Sequence, residues 1–154
     1  MQLDAVPKPV KCVSIASPYV GDENYRKAFQ LAEEMNFIQH LRVSNHKDIV
    51  TIGPFVSLRL RFWKNNPSVG HLFKHVGYNL KLFKEGKKKQ YELRYPEDSV
   101  GDGLSRAWNQ CLVNNLCLSY LENHGCAEYV ERMEMIEEDL SKLSLNEIYE
   151  TKIN

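Results

Sequence analysis

The chain has 154 residues, with 20 basic against 20 acidic side chains, so no net charge draws it toward nucleic acid. Its apolar fraction of 43% and charged fraction of 26% are those of a soluble globular protein, at one domain's length with room for a real core. No apolar run approaches the roughly 18 residues of a bilayer span, and the opening Met1-Gln2-Leu3-Asp4 carries neither the basic region nor the apolar stretch of a secretory signal.

Residues 1–9 hold Pro7 and Pro9, which withhold backbone donors and predict an extended lead-in. The run 10–16 mixes Val, Cys, Ser and Ile in the manner of a short buried strand, and Ser17-Pro18 ends it. Gly21-Asp22 offers a turn and an N-cap for a helix over 24–35, where Tyr25, Ala28, Phe29, Leu31 and Ala32 fall at helical spacing. Glu33 and Glu34 oppose the dipole at the far end of that helix, which leaves propensity and packing to hold it. A second strand follows over 37–43, and the alternation of His40 and Arg42 with Leu41 and Val43 predicts one face less buried than in the first strand. The result is a strand–helix–strand unit with polar loops beyond its strands, the place where sites form in such units.

Residues 49–55 are apolar but broken by Gly53-Pro54, as suits a loop over the rim of a sheet. The alternating segment 57–63 fits a strand or a short helix, and Asn65-Asn66-Pro67-Ser68 a loop. Segments 75–83 and 90–95 flank a lysine-rich turn and predict a β-hairpin. After a turn-rich 96–103, a helix is expected over 104–121, with Leu104, Ala107, Trp108, Cys111, Leu112, Leu116 and Tyr120 on one stripe. Asn123-His124-Gly125 interrupts it before a second, acidic helix over 127–140. Ser144-Leu145-Asn146-Glu147 reads as a capping box for a last short helix. The four cysteines, Cys12, Cys111, Cys117 and Cys126, show no metal-ligand spacing and read as small buried hydrophobes. His71 and His75 are spaced for a metal on a helix, but Gly70, Gly77 and the strand-like run beside them argue against one, so no metal or other cofactor is expected.

Asp48 and His124 are the pair singled out for chemistry. Asp48 follows a strand, and His124 sits at a helix break before Gly125. Acid before base along the chain is the order of an α/β-type hydrolase triad, in which a carboxylate holds one ring N–H while the other ring nitrogen takes a serine proton. Spacing alone does not select these two residues. The wording of the sequence does. Ala16-Ser17-Pro18-Tyr19-Val20-Gly21-Asp22, followed at a distance by Arg42-Val43-Ser44-Asn45-His46-Lys47-Asp48-Ile49-Val50, resembles the class 3, or fungal-type, lipases. His124-Gly125-Cys126-Ala127-Glu128-Tyr129 is similar, less tightly, to the context of that family's catalytic histidine.

The resemblance implies a partial α/β-hydrolase fold: the strand–helix–strand unit, a late β-hairpin and C-terminal helices. It implies Asp48 as catalytic acid and His124 as base in a hydrolase of carboxylic esters, with a glycerolipid or a small ester as substrate. Tyr19 departs from the family's Arg, and Thr51 and Pro54 shift the prolines of the acid loop. No Gly-x-Ser-x-Gly elbow occurs, and Ser105 in Gly103-Leu104-Ser105-Arg106-Ala107 reads as a helix-start serine. The expectation is therefore one lipase-like domain over 1–154, truncated before its nucleophile and inactive or nearly so alone. The strand at 10–16 would then have an open edge prone to self-association. Arg59, Arg61, Phe62 and Trp63 fit contact with an anionic membrane surface or simply a half-exposed strand. The alternative, from a different class, is a non-catalytic lipase-like module that binds a partner or a lipid surface.

Overall fold

The computed structural model describes residues 6–48, 50–52, 56–59, 69–72, 74–84, 89–95 and 122–153. The expected helix at 104–121, with Ser105, Cys111 and Cys117, lies outside these residues, as do the turn at 96–103, the loop at 65–68, and Arg61, Phe62 and Trp63. The described parts form a mixed α/β architecture. β1 (Val10–Ile15), α1 (Glu23–Glu34) and β2 (Ile38–Asn45) come first, then a 3-10 turn at Val50–Ile52 and strands β3 (Val56–Arg59) and β4 (Val69–Leu72). β5 (Tyr78–Leu82) and β6 (Tyr91–Arg94) follow, and then helices α2 (Cys126–Glu134), α3 (Glu137–Lys142) and α4 (Leu145–Ile153).

The main sheet runs β1-β2-β5-β6; β3 and β4 form a separate antiparallel pair. β1 and β2 are parallel with Val10 opposite Ile38, β2 and β5 are parallel with Leu41 opposite Tyr78, and β5 and β6 make the antiparallel hairpin. The β1-α1-β2 connection is closed by local chemistry at both ends of the helix. The Asp22 carboxylate accepts the Tyr25 N–H at 3.0 Å, satisfying a first-turn donor. At the other end, Asn36 adopts φ 55°, and the N–H groups of Asn36 and Phe37 bond back to the carbonyls of Glu33 and Ala32. That is the left-handed helix stop that asparagine tolerates better than most residues.

One face of the sheet carries the apolar core. Val43, Leu80 and Leu82 pack with Tyr129 and Ile136, and Tyr78 packs with Ile148 and Tyr149, so α2, α3 and α4 cover this face. The other face is polar, with α1 laid on it; Phe29 sits edge-on to His40 with ring centroids 5.6 Å apart. Gly77 at φ 71° lets the chain enter β5 against β2, where an added Cβ would lie 2.5 Å from the His40 carbonyl. Among the described residues no helix is long and apolar enough to cross a membrane.

Four expectations need correction. The first strand is the exposed one and the second is buried, because among the described residues β1 is a sheet edge while β2 lies between two neighbours. Position in the sheet outweighs side-chain polarity, so His40 and Arg42 are buried and Val13 is exposed. Cys12 and Cys126 are exposed for their own local reasons, an edge strand and a helix start, rather than buried as small hydrophobes. The helix expected over 127–140 is two helices, broken at Met135-Ile136, and the break turns Ile136 into the core between them. Glu33 is held by more than propensity and packing. It is buried, and its carboxylate accepts hydroxyl bonds from Tyr95 and Tyr149, each at 2.5 Å. Burial, reinforced by those bonds, pushes both phenols above their ordinary range.

Candidate active site

Asp48 lies just past the carboxyl end of β2, beside the ends of β1 and β5. In parallel α/β sheets that rim is where polar groups converge. A turn fixes it: the Asp48 N–H bonds to the Asn45 carbonyl at 3.2 Å, and the Thr51 hydroxyl donates to the Asp48 carbonyl at 2.9 Å. Lys47, just before, takes φ 69°, which turns the chain inward. The carboxylate is 1% exposed as a residue, so every oxygen needs a partner. Oδ1 accepts the Val50 N–H at 2.9 Å. Oδ2 accepts the Tyr129 hydroxyl at 2.7 Å and lies 3.0 Å from His124 Nδ1. An ionised carboxylate only accepts, so the imidazole tautomer that fits beside it carries its proton on Nδ1 and adds a donor to the Val50 N–H and the Tyr129 hydroxyl.

His124 comes from the turn before α2, 76 residues further along the chain. Its position follows from what holds its neighbours. The Asn123 carbonyl accepts the Asn45 side-chain amide at 2.9 Å, and the Asn123 side chain accepts Arg132. Arg132 is 3% exposed and spends its guanidinium in several directions. It donates to Glu128 through Nε at 3.0 Å, and to the carbonyls of His46 at 3.3 Å and Leu82 at 3.4 Å. That one side chain therefore ties α2 to the ends of β2 and β5 and to the turn bearing His124. In return the Arg132 bond holds the Glu128 carboxyl below the usual range.

Tyr129 is the second support. Its hydroxyl donates to Asp48 and accepts the Asn45 N–H at 2.9 Å, and the residue is 2% exposed. Burial, with the Asp48 bond second, pushes the phenol above its ordinary range, so it serves as a fixed donor rather than a base. The exposures of the pair divide the labour. The Asp48 side chain is 0% exposed and the His124 side chain 37%, so the carboxylate is sealed in while the imidazole it anchors through Nδ1 is partly open to solvent.

The remaining histidines have other surroundings. His40 bonds to the Ser14 hydroxyl at 2.8 Å through Nε2, and burial and the Arg42 charge lower its pKa. His75 stacks on Tyr19 with ring centroids 3.6 Å apart; burial first, then Arg42, pushes it down to about 2. His46 packs against Phe83 at 5.0 Å. Among the described residues no group of three or more His, Cys, Asp or Glu side chains is placed to hold a metal ion.

Sequence reasoning selected Asp48 and His124 and passed over Tyr129, Arg132, Asn45 and Asn123 as supports. A signal for one of them was present: Glu128 and Arg132 stand at i, i+4 on α2, although that spacing ordinarily marks a solvated pair.

Fold and site together define an α/β protein with a buried carboxylate engaging a half-exposed imidazole at the carboxyl rim of its parallel strands. The comparison with known families narrows the class. Residues 1–58 match the family model described as lipase (class 3), a stretch that contains β1, α1, β2 and Asp48 and stops short of His124. That match supports membership of the class 3 lipase family and, at the family level, a lipase-like hydrolase function. No curated protein and no solved structure matches the chain significantly.

Proposed function

We propose that the chain supplies the acid–base half of a serine-type carboxylic ester hydrolase acting on glycerolipids or smaller esters. The observation that carries the reading is the 3.0 Å contact between Asp48 and His124 Nδ1. Asp48 keeps Nδ1 protonated and favours the imidazolium that forms during reaction. His124 Nε2 takes the proton of the attacking hydroxyl as its oxygen adds to the ester carbonyl. When the tetrahedral intermediate collapses, the same proton passes to the departing alkoxide, so the base is regenerated. The seryl hydroxyl and its oxyanion donors are further requirements of the reaction. With no Gly-x-Ser-x-Gly in the sequence, the isolated chain is a very poor esterase.

The test uses an activated ester and a serine probe. A fluorophosphonate is expected to leave the chain unlabelled. With p-nitrophenyl butyrate, slow hydrolysis is expected in which His124 activates water. His124→Gln should return the rate to the buffer blank, and Asp48→Asn should lower it at least about tenfold, a modest fraction of the ~10²–10⁴ typical of a positioned general base. Equal rates in the parent and both variants, with folding intact by circular dichroism, would leave the non-catalytic lipase-like module as the better reading. Labelling by the fluorophosphonate would show a reactive serine in the chain and overturn the division of roles.

A further inference from the structure

We propose that β1 is an interface between two copies of this chain, paired antiparallel across a two-fold axis through Val13. Among the described residues β1 is the outermost strand of the sheet, with nothing paired beyond it. Val10 donates to Phe37 and Ala16 to Val43, so the even-numbered residues face β2. Strand alternation then turns the N–H and C=O groups of Lys11, Val13 and Ile15 toward the open side. An edge with polar backbone and apolar side chains is a template for another strand. Here the side chains are bare too: Val13 is 57% exposed and Ile15 50%. They lie opposite Leu41 and Val43 in register, so they extend the core face of the sheet beyond the helices that cover it.

The occupant follows from the register. In an antiparallel pair centred on Val13, that residue faces its own copy and Lys11 faces Ile15 on either side. All three outward residues fall in hydrogen-bonded positions, and the single charged residue of β1 never opposes itself. The chain is formally neutral, so two copies meet without long-range repulsion. On the other face α1 packs mainly on β2 and presents an exposed stripe with Leu31 at 56% and Met35 at 53%. The same axis runs two α1 helices antiparallel, and α1 exposes both a base, Lys27, and an acid, Glu34, one turn to either side of Leu31. Sequence, register and charge thus favour a self-complementary, closed pair over an unrelated strand.

Sedimentation velocity and light scattering from low micromolar to a few hundred micromolar test this. A reversible shift from 17.9 kDa toward twice that mass is expected. Val13→Pro removes a donor on the open side only, leaves the β1–β2 bonds in place, and should hold the chain at the monomer mass with its thermal melt unchanged. If that variant unfolds, Val13→Lys serves the same purpose by placing like charges face to face. In a Cys12→Ser background, Val13→Cys should give an intermolecular disulfide, because paired residues across the axis stand about 5.5 Å apart, inside the bridging window of about 4.4–6.8 Å. A chain that stays monomeric throughout, a folded Val13→Pro that dimerises as before, or growth past the dimer would each overturn the proposal.

Discussion

Replacing Tyr129 by Phe removes one oxygen and tests how the candidate site is held together. The ring stays, so no cavity opens and the cost is polar. Asp48 loses a 2.7 Å bond to an ionised acceptor, typically worth about 1.5–3 kcal/mol. Asn45 loses the acceptor of its buried N–H at 2.9 Å, which adds about 1–3 kcal/mol for an orphaned donor. The two terms share one atom and are not fully additive, so a net loss of about 3 kcal/mol is expected. For a chain of this length that is a fall in Tm of roughly 6–12 °C, or about 1–2 M in the urea midpoint. Equilibrium urea unfolding followed by circular dichroism gives the number, and amide hydrogen exchange at Asn45 gives the location, since that amide should lose its protection. A loss below about 1 kcal/mol with an unchanged urea slope, and Asn45 still protected, would mean that the hydroxyl does not bridge the two groups.

Two further outcomes are expected. His75 titrates at about 2 in the fold and near 6.5 when unfolded, so the unfolded chain takes up the proton first as pH falls. Stability is therefore full above about pH 6.5 and declines below it, by up to about 2 kcal/mol at pH 5 from this residue, with His40 acting in the same direction. Urea midpoints between pH 7 and 5 should show the decline, and His75→Phe, which keeps an aromatic ring against Tyr19, should reduce its slope; an unchanged slope would remove His75 as the cause. Arg132→Met should cost about 2–3 kcal/mol by removing the buried donor that the His46 and Leu82 carbonyls and the Asn123 side chain share, while Lys84 still faces Glu128. Arg132→Lys should recover only part of this, because an ammonium cannot reproduce the fork. Full recovery with Lys in thermal melts would show that charge alone matters there.

The strand–helix–strand unit was legible because each of its parts carries a local signal: an apolar run, an Asp22 cap, helical spacing and a second apolar run. What those signals lack is any record of neighbours. The residues of β1 are as apolar as a buried strand requires, yet among the described residues the strand stands at the edge, and the polar His40 and Arg42 are buried because β5 lies beside β2. The break at Met135-Ile136 interrupts no pattern, since both residues suit either side of it. Asp48 and His124 came from a family resemblance, and spacing could not have chosen them. The supports around them are harder still to read. A tyrosine on an amphipathic helix looks like core, and Tyr129 is core, apart from one hydroxyl whose two partners lie 81 and 84 positions away.

The bond from Tyr149 to Glu33 closes a loop of 116 positions. As the polypeptide leaves the ribosome, α1 is made long before the hydroxyl that completes its contacts: Tyr95 can reach the Glu33 carboxylate earlier, but the second oxygen waits for Tyr149. Contacts of such separation slow folding, because so much chain must be drawn together before any reward is returned. The amino-terminal unit thus waits on the carboxyl-terminal helix, and a nascent chain halted before Tyr149 would hold β1, α1 and β2 without their final lock.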